Sequence, residues 1–323
     1  MKRGLVIGKF LPVHLGHIAL IEFAASNCDE LIVSMSYTDE DPIAHELRLT
    51  WLKDIFVDRK TIAVHSICDD FDDDSLPLEE RTRIWADVIK RTYPHIDILF
   101  SSEDYGVPFA RNLEVEHVTF DQKRTRYPVS ASLVRKHPFN YWDFIPNVVR
   151  PFFVKKVCFF GPESTGKTML AEKIAHEFNT VWVPEVAREM LTSNSFSVEE
   201  IKKIGVAHYA RLKGKLPFAN KILICDTDVI TTQIYSRHYL QVIPDILYQL
   251  ESEVKLDYYF LFDVDVPWVP DGLRDLGDRR NEMFEIFERE LAKRRLPYMI
   301  IRGAYDVRHN TVRRKLQEIL NGK

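Results

Sequence analysis

Lys156-Val157-Cys158-Phe159-Phe160-Gly161-Pro162-Glu163-Ser164-Thr165-Gly166-Lys167-Thr168 reads as a buried strand, a tight glycine-bounded loop and the first residues of a helix. Residues 161–168 match GxxxxGK[ST] in full, in the strand-then-helix context that this motif needs. The backbone amides of Gly161, Glu163, Ser164, Thr165 and Gly166 would cradle the phosphates of ATP. Lys167 would contact the β- and γ-oxygens, and Thr168 would ligate Mg²⁺. A strand that delivers a phosphate to a helix start belongs to an α/β sheet.

The same logic occurs earlier in the chain. The run Gly4-Leu5-Val6-Ile7 leads into Gly8-Lys9-Phe10-Leu11-Pro12-Val13-His14-Leu15-Gly16-His17, again strand, loop and helix start. His14 and His17 lie three residues apart and project to one side of the helix. Gly8 lets the backbone come close to a ligand, Phe10 belongs to the string, and Gly16 removes a side chain where a nucleotide would stack. With Lys9 and the helix amino end, the two imidazoles form an electropositive cradle for a triphosphate. Such a cradle stabilises charge on a pentavalent phosphorus without a covalent enzyme intermediate.

Outward from these two motifs the pattern alternates. Strand-like runs at 4–7, 31–36, 61–67, 96–101 and 115–120 are separated by helical stretches at 15–27, 45–57 and 81–93. A second series of strands follows at 156–160, 180–183, 221–225, 257–262 and 298–301. Two doubly wound α/β domains with mostly parallel sheets are therefore expected, 1–148 and 149–323. Three prolines break the stretch 137–153, but its six aromatics are wrong for a floppy linker. It reads as a packed connector that fixes the two domains against each other. The acidic run Asp69-Asp70-Phe71-Asp72-Asp73-Asp74 reads as a solvated loop, with a metal or substrate role as the alternative.

The 323 residues carry a net charge of −4, with 46% hydrophobic and 28% charged side chains, as in a soluble globular protein. That balance argues against a nucleic-acid coat or a polybasic membrane binder. Cys28, Cys68, Cys158 and Cys225 show no metal spacing and read as reduced, buried thiols. No apolar stretch approaches the roughly 20 residues of a membrane span, and Gly8 comes too early for a signal peptide ahead of it. A cytoplasmic protein is expected, with homo-oligomerisation left open.

The later residues of each half add chemistry. Asp226 closes the apolar run Ile222-Leu223-Ile224-Cys225 and stands where a carboxylate holds magnesium. Asp228 would bind a sugar hydroxyl or assist the metal. Glu185 and Arg188 follow the second strand of that half. Glu185 would orient or deprotonate a 5′-hydroxyl, a role for which Asp228 is the other candidate. The stretch 271–280 reads as a mobile lid, with Arg274 first among the arginines it would bring to a transferring phosphoryl group.

The amino-terminal string resembles the HxGH nucleotidyltransferase superfamily. Val129-Ser130-Ala131-Ser132-Leu133-Val134-Arg135 fits its second signature, although Ala131 and Ser132 depart from the usual form. The resemblance implies that Ser130 caps a helix and that Arg135 reaches the β- and γ-phosphates. Within that superfamily Arg48, Trp51, Trp85 and Ser101-Ser102-Glu103 resemble nicotinamide-mononucleotide (NMN) adenylyltransferases. This implies that Trp85 stacks on the nicotinamide ring and that Arg124, or else Arg126, holds a substrate phosphate.

The whole chain resembles the NadR-type bifunctional family, an adenylyltransferase fused to a nicotinamide riboside kinase. The resemblance includes the connector, Asp226-Thr227-Asp228-Val229-Ile230-Thr231-Thr232-Gln233, and Pro267-Trp268-Val269-Pro270 with the residues that follow. It implies ATP and Mg²⁺ as cofactors, nicotinamide riboside and NMN as substrates, and NAD as product. The helix-turn-helix of some members has no counterpart here, so no nucleic-acid partner is expected. Two alternatives are another HxGH nucleotidyltransferase fused to a nucleoside kinase, and a NAD or ATP sensor with one inactive domain.

Overall fold

The computed structural model describes every residue except Asp74, Gly272, Leu273 and Lys323. Asp74 of the acidic run and two residues of the expected lid thus lie outside the described residues. The chain divides into two compact units, Met1–Arg150 and Pro151–Lys323.

In the first unit, β1 (Arg3–Gly8), β2 (Glu30–Tyr37), β3 (Ile62–Cys68), β4 (Ile98–Ser101) and β5 (Glu116–Thr119) form one sheet in the order β3-β2-β1-β4-β5. Every pairing is parallel; Val6 lies opposite Val33, and Leu5 opposite Leu99. Parallel strands carry helices on both faces and therefore read as continuous apolar runs. Leu5 and Val6 at the sheet centre are fully buried. Because the chain leaves β1 in both directions across the sheet, the crevice at its carboxyl end is the place for a ligand. Gly8 is the last residue of β1.

The second unit repeats the plan with β6 (Lys155–Phe160), β7 (Trp182–Val183), β8 (Ile222–Asp226), β9 (Tyr258–Phe262) and β10 (Tyr298–Ile301), in the order β10-β9-β6-β8-β7. All pairings are again parallel. Phe159 and Phe160 on the central strand β6, and Phe260 and Phe262 on its neighbour β9, are fully buried. At roughly 1.5–3 kcal/mol for each buried aromatic, this cluster is a large share of a domain's stability. The helix Lys167–Glu177 packs Leu170, Ala171 and Ile174 into the same core, which fixes the loop before it.

Expected strands and observed strands agree to within one or two residues, and the α/β reading holds for both units. The sequence reading omitted the helix Gly106–Leu113, a short element that buries Phe109 and Ala110. Cys158 and Cys225 are buried as expected, whereas Cys28 is half-buried and Cys68 exposed, since Cys68 closes the edge strand β3. Among the described residues, no helix is long and apolar enough to cross a membrane.

Candidate active sites

In the first unit, His14 is the N-cap of the helix Leu15–Ala25, a position usually held by a short polar residue. Its Nδ1 accepts the His17 backbone N–H at 3.4 Å, and the His17 Nδ1 accepts the His14 N–H at 3.3 Å. The two rings stack with centroids 3.6 Å apart. A nitrogen that accepts from a backbone amide cannot carry the proton, so both rings are assigned as Nε2–H tautomers. Each therefore offers one N–H donor beyond the helix cap. Gly16 leaves room for this stack, since a Cβ there would lie 3.1 Å from the His14 ring, closer than an ordinary contact.

The electrostatics correct one expectation. Burial, and then the Arg124 charge, lower the His14 pKa to about 4. Burial, followed by His14 and Arg124, holds His17 well below its ordinary value. Both rings are neutral at pH 7, so the positive field comes from Lys9, Arg124, Arg135 and the helix amino end. Arg135 donates to the Leu11 carbonyl and, at 3.2 Å, to Ser132 Oγ. Ser130 Oγ caps the helix Ala131–Lys136 by accepting the Leu133 N–H at 3.2 Å. Arg124 pairs with Glu103 at 2.6 Å.

A cavity runs from Gly8 and Lys9 to Trp85 and Tyr105, with Asp69, Asp72 and Arg81 in its wall. The Trp85 indole donates to Asp72 Oδ1 at 3.1 Å, and the Arg81 guanidinium lies over the ring, 5.3 Å from its centroid. Arg81 also binds Asp72 through Nε at 2.8 Å and Nη2 at 2.5 Å.

In the second unit, the loop between β6 and the helix Lys167–Glu177 bends through Gly161 at φ 130° and Gly166 at φ 82°. Gly161 is also a close approach, since a Cβ there would meet the Phe262 carbonyl oxygen at 2.8 Å. Lys167 Nζ donates to the carbonyls of Gly161 at 2.9 Å and Pro162 at 2.6 Å. Thr168 Oγ1 donates to Asp226 Oδ2 at 2.5 Å, while Asp226 Oδ1 is buried with no hydrogen-bond partner. Burial, reinforced by the Glu185 charge, pushes the Asp226 carboxyl up to about 6, against the pull of Lys167. A divalent cation would satisfy the orphaned oxygen and relieve that cost, so this pair fits magnesium. Among the described residues no cluster of three His, Cys, Asp or Glu could hold a metal ion.

An ion chain crosses the mouth of this site. Glu185 Oε2 accepts from Arg188 Nε at 2.8 Å, Arg188 binds Asp271, and Asp271 pairs with Arg274 at 3.0 Å. Arg274 also donates to the Val269 carbonyl at 2.6 Å.

These two geometries have counterparts among known proteins. A family model described as an AAA domain matches residues 156–308. The Trifunctional NAD biosynthesis/regulator protein NadR of Escherichia coli (strain K12) is 33% identical over 298 residues, 85% of this chain and 72% of the relative. The chain belongs to the NadR family. The Nicotinamide-nucleotide adenylyltransferase of Methanocorpusculum labreanum is 27% identical over 154 residues, 46% of this chain and 88% of that protein. A crystal structure of a NadR protein in complex with NAD and AMP-PNP superposes with a TM-score of 0.81 at 23% identity, covering 100% of this chain and 97% of the other. At that identity the likeness speaks for the fold.

Within this NadR-family fold, several sequence-expected contacts prove to be bracing. Arg48 has no exposed surface; it binds the Lys9 carbonyl and Asp41, each at 2.5 Å, and so holds the loop from beneath instead of facing a ligand. Phe10 is 2% exposed and sets its edge against His17 at 5.0 Å, behind the imidazole. Asp228 is the buried N-cap of the helix Val229–Leu240, bound to Thr231 N at 3.0 Å and to the Tyr259 hydroxyl at 2.8 Å, and it has no place in the kinase cavity. Glu185, by contrast, lines that cavity. The side chains of Glu163 and Ser164 bind Trp268, Leu276 and Val269, so this loop offers phosphate its amides and not these groups.

Asp69 and Asp72 line a cavity, where a solvated loop was the first expectation for the acidic run and a metal or substrate role the alternative. Other residues were missed. Arg308, 2% exposed, joins the carbonyls of Thr165, Asp263 and Gly303 behind the phosphate loop. Tyr235, Tyr239 and His208 line the kinase cavity from helices without a recognisable string. The aromatic spacing in 235–239 was the one available signal.

Proposed function

We propose that the chain makes NAD in two steps. The second unit transfers the γ-phosphoryl of ATP to nicotinamide riboside, giving NMN. The first unit then joins the NMN phosphate to the α-phosphorus of a second ATP and releases pyrophosphate. The observation that carries this reading is the pair of strand–loop–helix phosphate cradles, each at the carboxyl end of the central strand of its own sheet. The two cradles hold unlike chemical groups.

In the kinase, Lys167 and the loop amides bind phosphate oxygens, Glu185 accepts the 5′-hydroxyl proton, and Arg274 neutralises charge on the transferring group. Thr168 and Asp226 would hold Mg²⁺, which would supply charge neutralisation to the phosphates. In the adenylyltransferase, the neutral His14 and His17 donate through Nε2–H to phosphate oxygens. Lys9, Arg124 and Arg135 balance the charge that builds on pyrophosphate. Trp85 offers its face to the pyridinium.

Lys167→Ala is expected to cut riboside phosphorylation by at least about 10²–10³-fold and to leave NMN adenylylation intact. His17→Ala should do the reverse, with pyrophosphate release as the readout. Loss of both activities in either variant would refute two independent sites. Wild-type protein given riboside, ATP and magnesium should yield NAD by mass; a sensor would yield none.

A further inference from the structure

A carboxylate in a loop that holds phosphate needs a reason, because it repels the charge the loop exists to bind. The structure commits the carboxylate of Glu163 to another task. Its Oε1 accepts the Trp268 indole N–H at 3.2 Å and the Leu276 backbone N–H at 3.1 Å. The neighbouring Ser164 Oγ accepts the Val269 N–H at 2.7 Å. Two of these donors precede Arg274 in the chain and one follows it. The Arg274 guanidinium itself donates to the Val269 carbonyl at 2.6 Å, so a single residue joins it to Ser164. Gly277 passes close over Trp268, where a Cβ would lie 3.1 Å from the ring. Glu163 and Arg274 both line the kinase cavity.

We propose that Glu163 and Ser164 are positioning residues for phosphoryl transfer, which fix Arg274 relative to the phosphate loop so that its charge meets the transferring group without reorganisation. This rests on the kinase reading above. A cation on a long side chain stabilises a transition state only when its backbone is held, since a misplacement of roughly 1 Å costs about 10²-fold in rate. The bonds that hold it use the side chains of the loop and not its amides, so positioning and phosphate binding are separable. Burial raises the Glu163 carboxyl, and the Trp268 and Leu276 donors pull it back, as suits an acceptor held between two N–H groups. Alanine at this position would leave both donors without their acceptor.

The test is a double-mutant cycle on riboside phosphorylation in the full chain, with the thermal midpoint of the kinase unit following its fold. Glu163→Ala should lower kcat about 10²-fold and shift KM for ATP about threefold at most, because the loop amides stay in place. Arg274→Ala should lose at least as much. The double variant should match Arg274→Ala within about threefold, whereas independent residues would multiply their losses. Glu163→Gln, whose amide oxygen still accepts both N–H groups, should recover most of what alanine loses. If Glu163→Ala does not fold, Ser164→Ala takes its place in the cycle, with the same pattern expected. Multiplied losses, a change confined to KM, no recovery in Glu163→Gln, or an Arg274→Ala variant at the wild-type rate overturns the proposal and leaves the kinase reading standing. Wild type that does not phosphorylate the riboside overturns that reading, and the proposal with it.

Discussion

At the scale of single residues, His14 shows how a motif's chemistry depends on where it is buried. It caps a helix with a ring nitrogen, which works only while that nitrogen is unprotonated. The folded pKa of about 4 lies below the ordinary 6.5. Between these values the unfolded chain binds more protons, so stability rises with pH from about 4 to 6.5 and is flat above. A shift of that size corresponds to roughly 3 kcal/mol. Urea denaturation of the amino-terminal unit should show this slope, and His14→Gln should reduce it to the part that His17 contributes. An equal slope in the variant would mean that other groups titrate. The charge state of His14 was not legible in the sequence, where two histidines beside a lysine read as cations. Burial decides it, and burial is a property of the fold around the residue.

At the scale of elements, the phosphate loop of the kinase is held from behind by a helix distant in the chain. Arg308, on the helix Tyr305–Leu320, binds Thr165 O at 2.8 Å, Gly303 O at 2.8 Å and Asp263 O at 3.0 Å, and pairs with Asp265. Arg308→Met would leave buried carbonyls without donors, at a cost of about 3–5 kcal/mol. Thermal unfolding of the kinase unit should move down by several degrees, with NMN adenylylation unchanged at ambient temperature. An unaltered midpoint would show that water replaces the guanidinium. The strands themselves were readable, because a parallel strand buried on both faces announces itself by apolar residues alone. The Asp226-Thr227-Asp228 string was half readable. Asp226 stands at the strand end beside Thr168, whereas Asp228, two residues on, turns into the core as a helix cap.

At the scale of the whole molecule, the two proposed reactions are joined by one compound, NMN. A protein with Lys167→Ala and another with His17→Ala each lack one step, and the two mixed should regain conversion of riboside to NAD, followed by mass detection. Failure of the mixture, with each remaining activity normal, would mean that NMN does not pass through solution.

The α/β class, both five-stranded sheets and both cradles were determined by the sequence alone. Their signals are local: a run of apolar residues, a glycine where the backbone must turn, a cap at a helix start. Only the tertiary structure decided that the histidines are neutral, that Arg48 and Asp228 face inward, and that Asp69 and Asp72 wall a cavity. Those properties depend on which distant side chains arrive beside a residue and how much water they displace, and no spacing along the chain encodes either.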